Sequence, residues 1–135
     1  MRFLVDANVL SELTKQRPDP RVVHWLSTHE REFVVDPIIL GEIEFGILLL
    51  PEGRRRGRLE RWFEEGVLKI RCLPWTPATG RRWARLLADL RTRGQAMPIK
   101  DSQIAATALL HGLTVVTRNG RDFEKAAASV LDPFS

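Results

Sequence analysis

Short apolar runs that alternate with helix-length amphipathic stretches are the strongest constraint in this sequence. Arg2 to Val5, Phe33 to Val35, Leu113 to Thr117 and a run near Val130 are each too short for a helix and read as strands. Between them lie segments with helical punctuation. Asp36-Pro37 and Thr76-Pro77 pair an N-capping side chain with proline at the first helical position, and Gly94 and Gly112 close helices. Helices are expected at about Val9–Lys15, Pro20–Thr28, Pro37–Leu50, Arg54–Glu65, from Pro77 towards Gly94, and at Asp101–His111. Leu68 to Leu73 reads as a further β-like run, and Arg118 to Asp122 as a loop. Val22, Val23 and Leu26 are expected to face inward on the second helix. Strands joined through helices imply βαβ units, hence an α/β fold with a central, mostly parallel sheet and helices on both faces. In such folds ligands bind beyond the carboxyl ends of the strands.

That rule directs attention to acids. Asp6 ends the first strand, and Asp122 follows the Val115-Val116 strand with Asn119 closer to it. Asp101 begins a helix on the stripe of Ile104, Ala105 and Ala108, and Glu42 shares a stripe with Ile38, Phe45 and Leu49. A carboxylate on an apolar stripe is costly unless it is paired or serves a site. Each acid also has a plain structural reading. Asp6 and Asp101 could cap their helices, and Glu42 could pair with an arginine. Glu44 competes with Glu42, because this helix is apolar on several sides. Taken together, converging carboxylates would raise one another's pKa, and a hard cation such as Mg2+ or Mn2+ relieves that repulsion.

Other chemistries fit poorly. His24, His29 and His111 lack zinc spacing, and Cys72 stands alone and is expected to be a buried thiol. No Walker loop, dinucleotide fingerprint or nucleophile elbow is present. With 135 residues, one domain over 1–135 is expected. The start of the chain meets an acid after three apolar residues and carries no secretory signal, so a cytoplasmic, non-membrane protein is expected. The net charge of +4 and pI of about 10.0 come from 17 arginines and four lysines, a composition that favours a polyanionic partner. Arg118, Arg121, Lys100 and the Arg54–Arg58 run are the candidate nucleic-acid contacts.

Four segments then carry a resemblance. Leu4-Val5-Asp6-Ala7-Asn8-Val9-Leu10, Gly41-Glu42-Ile43-Glu44-Phe45-Gly46, Lys100-Asp101-Ser102-Gln103-Ile104-Ala105-Ala106 and Thr117-Arg118-Asn119-Gly120-Arg121-Asp122-Phe123 resemble, in order, the four blocks of PIN-domain ribonucleases. The match is closest to VapC-type toxins, including the FitB-like branch. The resemblance implies a three-layer α/β/α fold and an Mg2+- or Mn2+-dependent endoribonuclease. Asp6, Glu42 and Asp101 would bind metal, Asp122 would complete the catalytic set, and Asn8 and Asn119 would support it or hold phosphate. It thereby prefers Glu42 to Glu44. It also implies an RNA substrate, a VapB-type antitoxin laid over the helices at 20–28 and 37–66, and a homodimer. Asn119 stands where the family has an acid, and Asp36 where it more often has Ser or Thr. These departures keep open the alternative of a non-catalytic PIN-fold module that binds RNA or a partner. A DNA or flap nuclease on the same fold is a third reading.

Overall fold

The computed structural model describes residues 1–135. Four strands form one sheet: β1 (Phe3–Val5), β2 (Phe33–Val34), β3 (Thr114–Val116) and β4 (Val130–Leu131), in the spatial order β2-β1-β3-β4. All three pairings are parallel, and the register sets Phe3 against Phe33 and Val5 against Val116. Every residue of β1 is buried, as expected for a central strand covered on both faces.

Seven α-helices flank the sheet: α1 (Ala7–Leu10), α2 (Pro20–Thr28), α3 (Pro37–Leu48), α4 (Arg54–Glu65), α5 (Pro77–Thr92), α6 (Ile99–His111) and α7 (Gly120–Glu124). Local sequence explains their ends. Asp36 Oδ1 accepts the Ile39 N–H at 2.9 Å and so starts α3. Thr76 and Thr79 form a reciprocal capping box at α5. Gly112, at φ +66°, closes α6 in the left-handed conformation that a side chain disfavours. Leu4, Val5, Ile39, Ile104, Val115 and Phe123 lie at the centre of the core.

Several expectations are corrected. The helix expected over Val9–Lys15 is α1 followed by a 3-10 turn over Ser11–Thr14. Val23 faces outward while Val22 and Leu26 are buried, because α2 presents only a narrow stripe to the core. The run at Leu68–Leu73 forms no strand. Val67–Lys69 is a 3-10 turn, and only Cys72 makes a single parallel bridge, to Val35. Cys72 is exposed rather than buried, since the bridge turns it away from the sheet interior. Partial burial and then the nearby Asp36 charge push its thiol up, so it is a poor source of thiolate. The expected loop at Arg118–Asp122 ends in α7, which carries Asp122. No helix is long and apolar enough to cross a membrane.

Candidate active site

The parallel register of β1 and β3 brings the two chain segments that follow them to the same sheet edge. Asp6 comes one residue after Val5, and Thr117 one residue after the paired Val116. Asp6 is 3% exposed. Its Oδ1 accepts the Ala7 N–H at 2.8 Å, so it does start α1. Its Oδ2 accepts the Thr117 hydroxyl at 2.8 Å and the Asn8 side-chain amide at 3.3 Å. One oxygen of Asp6 therefore caps a helix, while the other is held by Thr117 and Asn8. Burial raises its pKa, and these hydrogen bonds act against the rise.

Asn8 helps to hold this corner. Its amide also reaches Thr117 Oγ1 at 3.3 Å, and its oxygen accepts the Arg118 N–H at 3.1 Å. It supports Asp6, and because the two acceptors of its amide lie 2.8 Å apart a single amide N–H serves both, which leaves the second N–H open. Thr117 is the residue that sequence reasoning missed. It is fully buried, donates to Asp6 and accepts the Asn119 N–H at 3.1 Å. The available signal was a hydroxyl residue directly after the buried Val115-Val116 pair. Replacing it isosterically, Thr117→Val, removes the Asp6 bond and strands the Asn119 N–H. The expected loss is about 1–3 kcal/mol of stability, measured by urea unfolding, with Thr117→Ser close to wild type.

Helices supply the other acids. Glu42, on α3, faces the site, while Glu44 is exposed on the side of α3 that meets Glu60 and Glu64 of α4. Packing thus separates two residues that periodicity could not. Glu42 lies 3.8 Å from Lys100 Nζ, a lysine rather than the expected arginine, and its Oε1 is buried with no hydrogen-bond partner. Asp101 sits in the first turn of α6 but does not cap it, since the N-cap is Pro98 and no side chain serves there. Burial raises Asp101 to about 6, with Asp6, Asp122 and Glu42 adding to the shift. Glu42 is raised by burial and then by Asp6 and Asp36. Lys100 is the one cation that acts on Asp6, Glu42 and Asp101 alike.

Asp122 adds to the rise at Asp101, and Lys125 Nζ lies 3.5 Å from its Oδ1. Asp36 is completely buried and faces α6 rather than the site, with Oδ2 accepting the Thr107 hydroxyl at 2.7 Å. Asn119 is exposed and its side chain makes no capping bond. Arg118 and Arg121 are exposed and pair with no acid, and the Arg118 guanidinium lies 4.4 Å from the Phe134 ring centre. No three acids are grouped tightly enough to hold a metal ion as they stand. Their donor chemistry nevertheless fits a hard divalent cation. It offers oxygen donors only, an unpartnered buried carboxylate oxygen on Glu42, and mutual repulsion that a cation would relieve.

Comparison with known proteins agrees with this geometry. The PIN domain family model matches residues 3–129. VapC ribonuclease Y4jK of Sinorhizobium fredii is 35% identical, covering 98% of this chain and 97% of its own. Toxin FitB of Neisseria gonorrhoeae is 33% identical, covering 98% of both chains. Among solved structures, FitAB bound to an IR36 DNA fragment superposes with a TM-score of 0.92 at 31% identity, covering 98% of this chain and 96% of that one. FitAcB from Neisseria gonorrhoeae superposes with a TM-score of 0.91 at 32% identity, covering 98% of both. The order of the sheet, the acids gathered at its edge and these whole-chain matches place the chain in the PIN-domain family.

Proposed function

We propose that this chain is a divalent-metal-dependent endoribonuclease and the toxin of a toxin–antitoxin pair, formed of one PIN domain over 1–135. The observation that carries the reading is the gathering of Asp6, Glu42 and Asp101 at one sheet edge, where Asp6 raises both Glu42 and Asp101, Glu42 raises Asp101, and all three share Lys100 as their cation. Full-length similarity to proteins named VapC ribonuclease and toxin FitB supports it. Asp6, Glu42 and Asp101 would hold Mg2+ or Mn2+, with Asp122 adding charge at the far side. When bound, the cation supplies a more acidic water and neutralises charge on the phosphate undergoing substitution.

The chain's own groups do the rest. Thr117 and Asn8 fix the free oxygen of Asp6. Arg118 and Arg121, exposed and unpaired, are placed to meet RNA phosphates, and Lys100 balances the acids until substrate and cation arrive. Purified protein with Mn2+ should cut structured RNA to 5′-phosphate and 3′-hydroxyl ends, and Asp6→Asn should abolish cutting. Mn2+ should also raise the Tm of the wild type but not of Asp6→Asn. Metal-independent RNA binding without cleavage would favour the non-catalytic module instead, and cutting of single-stranded DNA but not RNA would favour a DNA nuclease.

The toxin–antitoxin complexes among the relatives support a VapB-type antitoxin as partner, and a second copy of this chain is proposed on a separate ground. The dimer reading rests on an apolar face where Phe45 is 59% exposed, Leu48 52% and Leu49 69% on α3, beside Ile99 at 60% on α6. Phe45→Lys should convert a dimer to a monomer in sedimentation velocity with its Tm nearly unchanged. An unaltered sedimentation coefficient would move the interface elsewhere.

A further inference from the structure

The Arg54–Arg58 run does not behave as one patch. Arg56 is engaged internally, donating to the Leu50 carbonyl at 3.3 Å and lying 3.7 Å from Glu60. Arg55 and Arg58 pair with no acid, and together with Trp62 they border an open groove between α3, α4 and the 3-10 turn after α1. The groove has two stretches that meet. The inner one, about 370 Å³, starts at Asn8 and Glu42 of the acidic site and reaches Arg55, Leu59 and Trp62. The outer one, about 480 Å³, shares Thr14, Leu59 and Trp62 with it and continues to Lys15, Gln16 and Arg58. Lys15 is held by Glu12 at 2.9 Å, so the free charge of the groove comes from the two arginines.

The groove is open partly because of Gly46. This residue lies inside α3, where glycine costs about 0.5–1 kcal/mol relative to alanine. A Cβ built there would meet nothing within 4 Å. Packing within the chain therefore gives no reason for glycine, and the space above it is part of the groove wall.

We infer that this groove is a track for single-stranded RNA leading to the acids, with Trp62 as a base-stacking platform and Arg55 and Arg58 as phosphate-binding groups. The inference rests on the nuclease reading for the identity of the acidic end. Its own support is the continuity of the groove with that end, two cations without acidic partners, and one half-buried indole between them. Free cations with an aromatic surface suit a polyanion whose bases stack better than they suit an apolar helix.

The test is fluorescence anisotropy with a labelled single-stranded RNA of about 12 nucleotides, within the range such grooves accommodate. It is run at several salt concentrations on full-length protein carrying Asp101→Asn to prevent cutting. The paired substitution Arg55→Ala with Arg58→Ala should reduce the slope of log affinity against log salt by about 1.4, at about 0.7 for each phosphate no longer neutralised. Trp62→Leu should weaken binding about ten-fold, and Trp62→Phe should recover most of it. Gly46→Leu should fill the groove and weaken binding at least about ten-fold, with Tm unchanged or raised, whereas Gly46→Ala should bind as the parent does. Wild-type affinity and salt slope in the arginine pair and in Gly46→Leu would overturn the inference, leaving the groove as a protein-docking surface. Cutting by the otherwise native protein with Mn2+ is measured in parallel. Cutting that survives all groove substitutions alongside unchanged binding removes the track alone, while a reduced salt slope without any cutting by the native chain removes the nuclease reading alone.

Discussion

Asp101→Asn is expected to lower RNA cleavage about 10³-fold or more and, in the absence of metal, to raise the melting temperature. The first effect follows from removing a charge placed where the cation and the reacting phosphate need it. The second follows from the repulsion that charge creates. In the folded chain Asp101 titrates at about 6, above the ordinary carboxylate value, because burial and three neighbouring acids disfavour its ionised form. A raised acid favours the fold while it is protonated. Its ionisation removes stability as pH climbs from near 4 through about 6, and the loss is complete above that. The full shift corresponds to about 3 kcal/mol, and solvent screening of a half-buried group reduces this to about 1–2 kcal/mol. For a chain of this size that is a Tm gain of about 3–8 °C at pH 7. The gap between Asp101→Asn and wild type should widen from pH 5 to pH 7 and should close when Mn2+ is added. A gap that is flat with pH, or a variant less stable than wild type, would defeat the account.

Asp36→Ala is expected to be the most destabilising substitution at an acid. Asp36 is completely buried, starts α3 through the Ile39 N–H and accepts the Thr107 hydroxyl from α6. Alanine leaves both donors without a partner and removes the cap from the helix that carries Glu42. The expected cost is about 2–4 kcal/mol, or roughly 10 °C in Tm. Asp36→Asn keeps an acceptor for the Ile39 N–H, lets the Thr107 hydroxyl turn to accept from the new amide, and removes the charge that burial disfavours, so it should melt within a few degrees of wild type at pH 7. Urea unfolding of the two variants separates these effects. Equal stability for both would show that the charge, rather than the hydrogen bonds, is what α3 uses.

The strands and helices were legible because most obey simple periods. Leu86 and Leu90 of α5 are buried as their spacing requires, and Asp36-Pro37 and Thr76-Pro77 mark two helix starts. The candidate acids Asp6, Glu42 and Asp101 could be picked out because each stands at a strand end or on an apolar stripe. What failed was whatever depends on partners distant in the chain. Glu42 and Glu44 lie on a helix that is apolar on most sides, and only packing against α4 and α6 distinguishes them. Thr117 and Thr107 matter through hydroxyls aimed at acids 111 and 71 residues away, a relation no local pattern records. The Leu68–Leu73 run has strand composition but meets only Val35, so composition overstated it.

The bond between Thr117 and Asp6 decides when the proposed nuclease site is complete. It joins the earliest strand to one made 111 residues later, and β1 has β3 as a central neighbour only once that late segment exists. A nascent or proteolysed chain that stops short of β3 holds Asp6, Glu42 and Asp101 without the strand that aligns the first of them. Pairings this far apart in sequence form late and cooperatively. Assembly of the proposed nuclease site is therefore tied to completion of the whole fold, and a fragment ending before β3 is expected to cut no RNA.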